Sequence, residues 1–460
     1  MSIPMAGLAS EKTGGRLVDR LHVAHHEQAV TKPLIAWGLI NIFVVLLQMF
    51  IAPLGFSVGV NIGNLNKYFM FSLALWIGIV LLRRVAPLRV PAAMVFLVIV
   101  QVWFTVSTIV AQLQLGWHIE FITTDYSLVT FFLCFLQGSM LVAFAPWTRR
   151  LMARVLVGVC VTSAFVALLQ FLDVPPAIEL GNRLVGFEDI TNWAGQGGVR
   201  AVGIFPSVAL PVKYNLMAIG IICGALIYRK LRNVEIALVV LLTGVMLMSQ
   251  VRNATVLMAL VMLPLIVLFV RRHKIAALPY IVAAVILLLV MILAGGDRFA
   301  YLFSGDTSTF DFRQDVLWPQ AWSIYERRPW FGVGVDPAFA GFDTFSSGRW
   351  SDGLVLDNGY LVTMAFGGLP ALAFMILALI SGFTGSLVVL CKKAKDRWES
   401  GYAIMGAIIA LIFAYGMIFG NMITNVSLGM FYFIMAGMAM PTEVLKKPLR
   451  LGDRFKAKKS

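Results

Sequence analysis

The sequence predicts an all-α polytopic integral membrane protein with about 12 transmembrane helices. Hydrophobic residues make up 60% of the 460-residue chain and charged residues only 13%, with a mean hydropathy of +0.86. Soluble domains carry about 25% charged and about 45–50% apolar residues, so the composition excludes a soluble enzyme. In such a chain the net charge of +14 does not indicate nucleic-acid binding.

Twelve apolar segments approach or exceed the roughly 20 residues that a helix needs to cross a bilayer. They cover residues 33–53, 67–82, 91–115, 127–146, 152–172, 208–228, 233–249, 253–270, 275–295, 355–390, 402–420 and 425–441. The tenth is long enough to contain a kink, which we expect around Gly367, Gly368 and Pro370. The chain thus divides into a tail (1–32), a transmembrane region (33–445) and a basic C-terminal tail (446–460).

The basic residues predict the orientation of these segments. Of the 37 Lys and Arg residues, 27 lie in the two tails and in alternate connections. The positive-inside rule places this side, with both termini, in the cytoplasm, and two long connections, about 173–207 and 296–354, on the outer side. We interpret the basic connections as orientation signals and contacts with anionic lipid.

Arginine dominates the basic residues of the outer side. The guanidinium group matches two phosphate oxygens at once and stays charged when it loses water. Eight of the ten outer-side cations are arginine, which favours a phosphate-bearing ligand there. These cations are Lys67, Arg183, Arg200, Lys213, Arg252, Arg298, Arg313, Arg327, Arg328 and Arg349.

Two charged residues at the predicted membrane edge are the sharpest candidates. Arg252 lies in the short connection Ser249-Gln250-Val251-Arg252-Asn253 between two apolar spans. It is either a functional ion in a polar pocket or a side chain that extends to water from a helix end. Asp357 stands at the head of the tenth span. It is either the N-cap of that helix or a partly desolvated carboxylate that accepts a proton.

The second outer connection contains an amphipathic stretch, Asp311–Glu326. Its aromatic face, with Trp318 and Trp322, lies in the membrane interface or packs onto the helix bundle. We expect Arg327-Arg328-Pro329 to end this helix and Gly332-Val333-Gly334 to form a turn, since a lone GxG is weak evidence for a phosphate cradle. The aspartates of this connection are interpreted as a solvated acidic loop, not as a metal site.

These elements, in this order, resemble the superfamily of bacterial O-antigen and exopolysaccharide polymerases (Wzy-type) and O-antigen ligases. The resemblance covers roughly residues 180–385. It rests on Arg200-Ala201-Val202-Gly203-Ile204-Phe205-Pro206, Ser249-Gln250-Val251-Arg252, Arg313 with Trp318, Pro329-Trp330-Phe331-Gly332-Val333-Gly334 with Phe339, and Asp357-Asn358-Gly359-Tyr360-Leu361 with Phe366-Gly367-Gly368-Leu369. The ligases usually begin the last motif with His-Asn; Asp357-Asn358 departs from that pattern and fits the polymerases better.

The resemblance implies a GT-C-like glycosyltransferase of the bacterial inner membrane whose active site faces the periplasm. It implies transfer of a glycan from undecaprenyl diphosphate to a sugar hydroxyl, with inversion and without a metal or another cofactor. Its implied partners are the undecaprenyl-diphosphate-linked oligosaccharide, membrane lipids, and the flippase and chain-length regulator of the same pathway.

The resemblance also implies roles for individual residues. Arg200, Arg252 and Arg313 are the expected diphosphate contacts, and Asp357 is expected to orient or deprotonate the acceptor hydroxyl, which makes Asp357, Arg252 and Arg313 the catalytic candidates. The second-rank diphosphate candidates are Arg183, Lys213, Arg327 and Arg328. The candidates for contact with sugar or lipid are Trp318, Trp322, Asn358 and Tyr360.

The leading prediction is therefore a polymerase of lipid-linked oligosaccharide repeat units. The first alternative is a ligase that transfers finished polymer to a lipid or protein acceptor. The second is a flippase or transporter of lipid-linked oligosaccharide. A transporter should contain related halves and charges deep within its spans, whereas this chain has no matched halves and its spans carry few charges apart from Lys213 and Glu235.

Overall fold

In the computed structural model, the residues described are 31–47, 62–83, 90–114, 127–185, 199–249, 251–274, 282, 285, 311, 313–334, 358–418 and 426–441. Within these ranges the chain is helical and contains no strand. The helices are α1 (Thr31–Leu47), α2 (Ile62–Leu82), α3 (Ala92–Gln114), α4 (Ser127–Phe144), α5 (Trp147–Phe171), α6 (Pro175–Val185), α7 (Leu210–Cys223), α8 (Ala225–Tyr228), α9 (Asn233–Met248), α10 (Arg252–His273), α11 (Trp318–Arg327), α12 (Gly359–Val388), α13 (Arg397–Gly416) and α14 (Val426–Met438).

The described helices form a multi-pass membrane protein. Six of them are long and apolar enough to cross a bilayer, counting α7 with α8 as one and α12 with the turn that follows it, and five shorter apolar helices accompany them. Eleven of the twelve predicted spans coincide with apolar helices. The ninth, 275–295, lies outside the described residues except for two positions. The number twelve, the orientation and the GT-C-like architecture remain predictions.

Helix α7 lies at the centre of the bundle. Every residue of α7 except Lys213 is buried, and α7 packs against α5, α9, α10 and α13. A helix that is apolar on all sides requires such surroundings. A second closely packed pair is formed by α4 and α14, where Gly138 and Gly437 have no room for a side chain because the backbone of the facing helix occupies that space.

Arg149 contradicts the interpretation of every basic connection as an orientation signal. It is 4% exposed, and its Nη1 lies 3.2 Å from Oε1 of Glu399. Its Nε and Nη2 donate to the carbonyl oxygens of Met438 (2.9 Å) and Met440 (2.6 Å), and its own carbonyl accepts from the Tyr402 hydroxyl (2.8 Å). Arg149 therefore joins α5, α13 and the end of α14, and its main role in the fold is structural.

The predicted amphipathic helix is present but shorter than expected. Arg313–Leu317 forms a wide turn of π-helical geometry, and α11 follows and ends at Arg327, as predicted from Arg327-Arg328-Pro329. α11 packs against α12, which supports packing onto the bundle. The first long connection contains a helix that the sequence analysis did not anticipate, α6, whose buried face consists of small and apolar residues.

Candidate functional site

The segment Val199–Phe205 is held against α5 by a buried glutamine. Gln170 Oε1 accepts hydrogen bonds from the backbone N–H groups of Val202 (2.9 Å) and Gly203 (2.8 Å), and its Nε2 donates to the Gly203 carbonyl (3.0 Å). Gly203 has a φ of 62°, and the Ser163 side chain fills the space that a Cβ would need. The segment that carries Arg200 is therefore fixed by its backbone, not free to move as a surface loop would be.

Arg200 and Arg252 belong to segments that touch each other. Arg200 is buried, 8% exposed, and the N–H of the next residue, Ala201, donates to the carbonyl of Met248 at the end of α9 (3.2 Å). Arg252 begins α10 only four positions after Met248. A helix N-terminus carries partial positive charge, so the start of α10 is a favourable place for an anion.

The first turn of α12 is capped by Asn358. Asn358 Oδ1 accepts hydrogen bonds from the N–H groups of Tyr360 (3.0 Å) and Leu361 (3.1 Å). The interpretation of Asp357 as the helix cap is therefore wrong, because the next residue fills that role. Asp357 itself lies outside the described residues, and its role as a base stays a prediction.

The start of α12 is also tied to the end of α13. The Gly359 N–H donates to the Met417 carbonyl (2.7 Å), and the Tyr360 hydroxyl donates to the Ala414 carbonyl (2.8 Å). The polar atoms of Asn358 and Tyr360 described so far thus bond within the protein. Their predicted contact with sugar stays a prediction, and for Tyr360 it would involve the half-buried ring.

Helix α12 is broken at Gly368, within the stretch where a kink was predicted. Gly368 has φ 66° and ψ −167°, and Pro370 lacks the N–H that the Phe366 carbonyl would accept in a regular helix. The Leu369 N–H turns away from the helix and donates to the carbonyl of Pro329 (2.8 Å). The break leaves several carbonyl groups of α12 without the backbone N–H donors that a continuous helix would supply.

The predicted Gly-Val-Gly turn supplies the missing hydrogen bonds. Residues 329–334 follow α11 and lie against the break. The N–H of Val333 donates to the Ala365 carbonyl (2.9 Å), and the N–H of Gly334 donates to the Phe366 carbonyl (3.0 Å). Unpaired backbone groups at membrane depth are costly, so irregular backbone there must be paired within the protein. The turn therefore serves the fold of α12 and is not a phosphate cradle.

Trp103 of α3 completes this arrangement. Its Nε1 donates to the Gly367 carbonyl (2.7 Å), the next group exposed by the break. Its ring stacks on Phe331 of the turn with centroids 5.3 Å apart and an angle of 10°. Trp103 lies outside the motifs of the sequence analysis. An indole within an apolar span was the available signal, because a buried indole N–H normally has a partner.

Arg328 stands immediately before the turn and is the second-rank candidate with the strongest structural support. Its side chain is half-buried, and its Nη1 is buried without a hydrogen-bond partner among the described residues. Buried polar groups are almost always paired, and those that are not call for an explanation. An anionic ligand next to α11 would supply the missing acceptor.

The other candidates on α11 differ in exposure. Arg313 and Trp318 are half-buried, whereas Arg327 is exposed. Trp322 is 49% exposed, and its Nε1 donates to Glu326 (2.8 Å). Trp322 therefore offers an open aromatic face to a sugar ring or to lipid.

The two remaining cations have contrasting surroundings. Lys213 lies in the first turn of the central helix α7 and is half-buried. The Arg183 side chain is 70% exposed and pairs with Glu179 one turn earlier on α6 (2.5 Å). An exposed pair of this kind contributes little to stability, and Arg183 has the weakest structural support as a ligand contact.

The candidates form two groups within the described residues. The first group is Arg200 with Arg252, around the connection between α9 and α10. The second is Arg328 with the turn 329–334 at the break of α12. Arg313 lies at the opposite end of α11 from Arg328, and Asn358 and Tyr360 lie at the start of α12. Helix α13 packs against α7, α10 and α12 and so links the two groups.

A comparison with protein-family models identifies the part of the chain that contains the second group. Residues 237–376 match the family model Wzy_C, described as O-antigen ligase. The match begins in α9 and ends in α12 beyond the break, and it includes Arg252, Arg313 and Asp357. No curated protein matches the chain. Over residues 237–376 the chain is therefore similar to the O-antigen ligase family, a class of glycosyl-transferring membrane enzymes that act on lipid-linked oligosaccharide.

Proposed function

We propose that this chain polymerises undecaprenyl-diphosphate-linked oligosaccharide repeat units into a surface or exported polysaccharide at the periplasmic face of the bacterial inner membrane. The observation that carries the proposal is the match of residues 237–376 to the O-antigen ligase family. The Nη1 of Arg328, which is buried without a partner in the described part of the chain, supports an anionic ligand in the same region. The proposed partners are the lipid-linked oligosaccharide and the flippase and chain-length regulator of the pathway.

The arginines would stabilise the departing diphosphate. When the bond between the anomeric carbon and the diphosphate oxygen breaks, negative charge develops on that oxygen. Guanidinium groups held in place at low dielectric stabilise such charge without reorganising. We assign this role to Arg252 and Arg313, together with the buried Arg200, whose neighbour Ala201 bonds to the end of α9. Arg328, Lys213, Arg327 and Arg183 are additional contacts.

Asp357 would act on the acceptor. In an inverting displacement the acceptor hydroxyl oxygen forms the new bond to the anomeric carbon from the face opposite the diphosphate. The hydroxyl proton passes to the Asp357 carboxylate, and undecaprenyl diphosphate leaves. This transfer requires no metal in the proposed mechanism. Since Asn358 caps α12, the Asp357 carboxylate is not needed for capping, which supports this role.

The residue at position 357 favours a polymerase over a ligase. The resemblance places His-Asn at the head of this motif in ligases, whereas the chain has Asp357-Asn358. A ligase would use the same donor, and only its acceptor would differ. The two activities are therefore separated by the product that accumulates when the enzyme is absent.

The test is deletion of the gene followed by analysis of the lipid-linked glycan. We expect single repeat units on the outer face, or single units transferred to the final acceptor. Full-length polymer retained on the lipid carrier would identify a ligase and contradict the proposal. Single units that face the cytoplasm would identify a flippase.

Complementation with variants tests the site within the same strain. Arg252→Ala should abolish long polymer while the protein level in the membrane stays normal, because the diphosphate loses a charge-assisted contact. Arg272→Ala is the matched control, since Arg272 lies in the last turn of the same helix and is exposed. If both variants restore polymer equally, Arg252 does not bind the diphosphate.

A further inference from the structure

A large apolar groove lies in the bundle, separate from the arginines of the candidate site. It has a volume of about 620 Å³ and lies among α3, α4, α12, α13 and α14. The residues of α12 that line the groove all follow the break and begin at Met375. This volume is within the range of ligand pockets, about 300–1,000 Å³.

Small residues on facing helices create the groove. Gly382 and Gly385 of α12 line it, opposite Ala403, Gly406 and Ala410 of α13. A Cβ built on Gly385 would meet no atom within 4 Å, and the nearest atoms to one on Gly382 are methyl groups at 3.7 and 3.9 Å. Ordinarily small residues let helices approach closely. Here they leave the space between the helices open.

The polar groups that line the groove are already hydrogen-bonded within the protein, so a bound molecule need not supply a partner for them. Three hydroxyl groups line the groove, and each donates to a carbonyl of its own helix: Ser381 to Leu377 (2.6 Å), Thr384 to Ile380 (2.7 Å) and Ser386 to Gly382 (2.9 Å). An occupant that makes no hydrogen bonds, a hydrocarbon chain, therefore fits. A water molecule occupies about 30 Å³ and a methylene group is of similar size, so the groove accommodates roughly 20 methylene groups.

Charge distinguishes the two ends of the groove. Among the described lining residues, Lys393 is the only one with a charged side chain, and it lies at one end with Pro91 and Pro441. Lys393 closes a π-helical turn, in which the Ala394 N–H donates to the Val389 carbonyl (2.8 Å). Such turns frequently accompany functional sites.

Lys392 and Lys393, at this end of the groove, have no acidic partner in the described part of the chain. Lys392 and Lys393 are exposed. The nearby acids are occupied: Glu399 pairs with Arg149, and Asp396 caps α13. The positive charge at this end is therefore available to an anionic head group.

The opposite end is apolar. Leu128, Phe131, Phe413 and Met417 line it, and Met417 packs directly beneath Gly359. A lipid diphosphate that entered from this end would find no cation among the lining residues. The charge pattern thus favours a lipid with its head group at Lys393, on the side that the positive-inside rule assigns to the cytoplasm.

We propose that the groove is a binding site for one anionic phospholipid of the cytoplasmic leaflet. One acyl chain would lie between α12 and α13, and the head-group phosphate would bind Lys393, with Lys392 beside it. The site is independent of the glycan chemistry proposed above and would fix the half of α12 below its break.

The experiment is native mass spectrometry of the full-length protein, purified in mild detergent and titrated with phosphatidylglycerol or phosphatidylcholine. The wild type should retain phosphatidylglycerol at one site and bind it more tightly than phosphatidylcholine. A lysine near an anionic lipid surface contributes about 1 kcal/mol, so Lys393→Gln should weaken phosphatidylglycerol binding about fivefold. Gly385→Leu should remove binding by filling the groove.

A matched control separates this effect from general changes in membrane helices. Gly158 of α5 is exposed, and a Cβ there also meets no atom within 4 Å, so Gly158→Leu should leave lipid binding unchanged. Equal affinity for the two phospholipids, or equal binding by wild type and Lys393→Gln, would overturn the proposal. Retention of polyprenyl phosphate instead of phospholipid would also overturn it and assign the groove to the donor lipid.

Discussion

The break in α12 makes Gly368→Ala the most informative single substitution. Gly368 has a φ of 66° and a ψ of −167°, a region of backbone space that is used almost only by glycine. A Cβ at this position would also collide with the backbone of Pro329 and Trp330. A methyl group therefore opposes both the conformation of α12 and the docking of the turn that follows α11.

Two contributions determine the expected loss of stability. Holding a residue with a side chain in this backbone conformation costs about 1–3 kcal/mol, and forcing an extra carbon into packed backbone costs about 1–3 kcal/mol. Together they lower the free energy of unfolding by about 2–6 kcal/mol. Gly158→Ala is the control, and it should change the free energy of unfolding in the opposite direction. Gly158 is helical, exposed and unobstructed, and alanine there should add about 0.5–1 kcal/mol.

The assay is thermal unfolding of the purified proteins in detergent, with the folded fraction measured by size-exclusion chromatography. At about 2 °C per kcal/mol, Gly368→Ala should lower the Tm by roughly 4–12 °C, and Gly158→Ala should leave it unchanged or raise it slightly. If Gly368→Ala unfolds at the wild-type temperature, α12 does not have the described break, and the account of the turn as its hydrogen-bonding partner fails.

Three further predictions concern Trp103, Glu399 and Asp357. Trp103→Phe keeps the stacked ring but leaves the Gly367 carbonyl unpaired, so thermal unfolding should show a loss of about 1–3 kcal/mol. Glu399→Gln removes the counter-charge of buried Arg149 and should lower the free energy of unfolding by about 3–5 kcal/mol. As a control, Arg150→Met at an exposed position should change it by no more than about 0.5 kcal/mol. Similar Tm values for the two variants would contradict the buried pair. Asp357→Asn should slow polymer formation about 10²–10⁴-fold at unchanged protein level, and full turnover would exclude the carboxylate as the base.

The features predicted correctly from the sequence are those set by neighbouring residues. Gly367-Gly368-Leu369-Pro370 cannot continue a regular helix, and the kink is present at Gly368. Gly332-Val333-Gly334 was expected to turn, and both glycines have positive φ. Apolar length predicted the helices themselves, since a span is a local property of about 20 residues.

The features that were missed depend on residues far apart in the chain. Arg149 and Glu399 are separated by 250 positions, and Trp103 and Gly367 by 264. Charge counting assigned Arg149 to the cytoplasmic edge without indicating that it was buried. Gln170 lies near the end of the predicted span 152–172, and hydropathy does not indicate that it fixes the segment that carries Arg200.

The surroundings of the candidate residues separate side chains that residue type alone does not distinguish. Arg328 was placed in the second rank from the sequence, yet its Nη1 is buried without a hydrogen-bond partner among the described residues. The cap of α12, one of the two alternatives for Asp357, is Asn358, because Asp and Asn are both good N-caps and only the backbone decides between adjacent positions. Arg183 matched the same composition argument, but it forms an exposed pair on α6.

The fold alone explains why the turn 329–334 and the Gly368 motif of α12 occur together in this chain. The turn 329–334 and the break at Gly368 complete each other's hydrogen bonds, so neither has a satisfied backbone alone within the membrane. Arg328 precedes the turn by one residue, and Asp357 precedes the capped start of α12. The cation of Arg328 is thereby attached to one half of this backbone arrangement. A catalytic group is useful only if its position is fixed to within a fraction of an ångström, and in the function proposed above the hydrogen bonds between the turn and α12 would supply that constraint for Arg328. A change that loosens those bonds should therefore reduce polymer formation even when every arginine and Asp357 are intact.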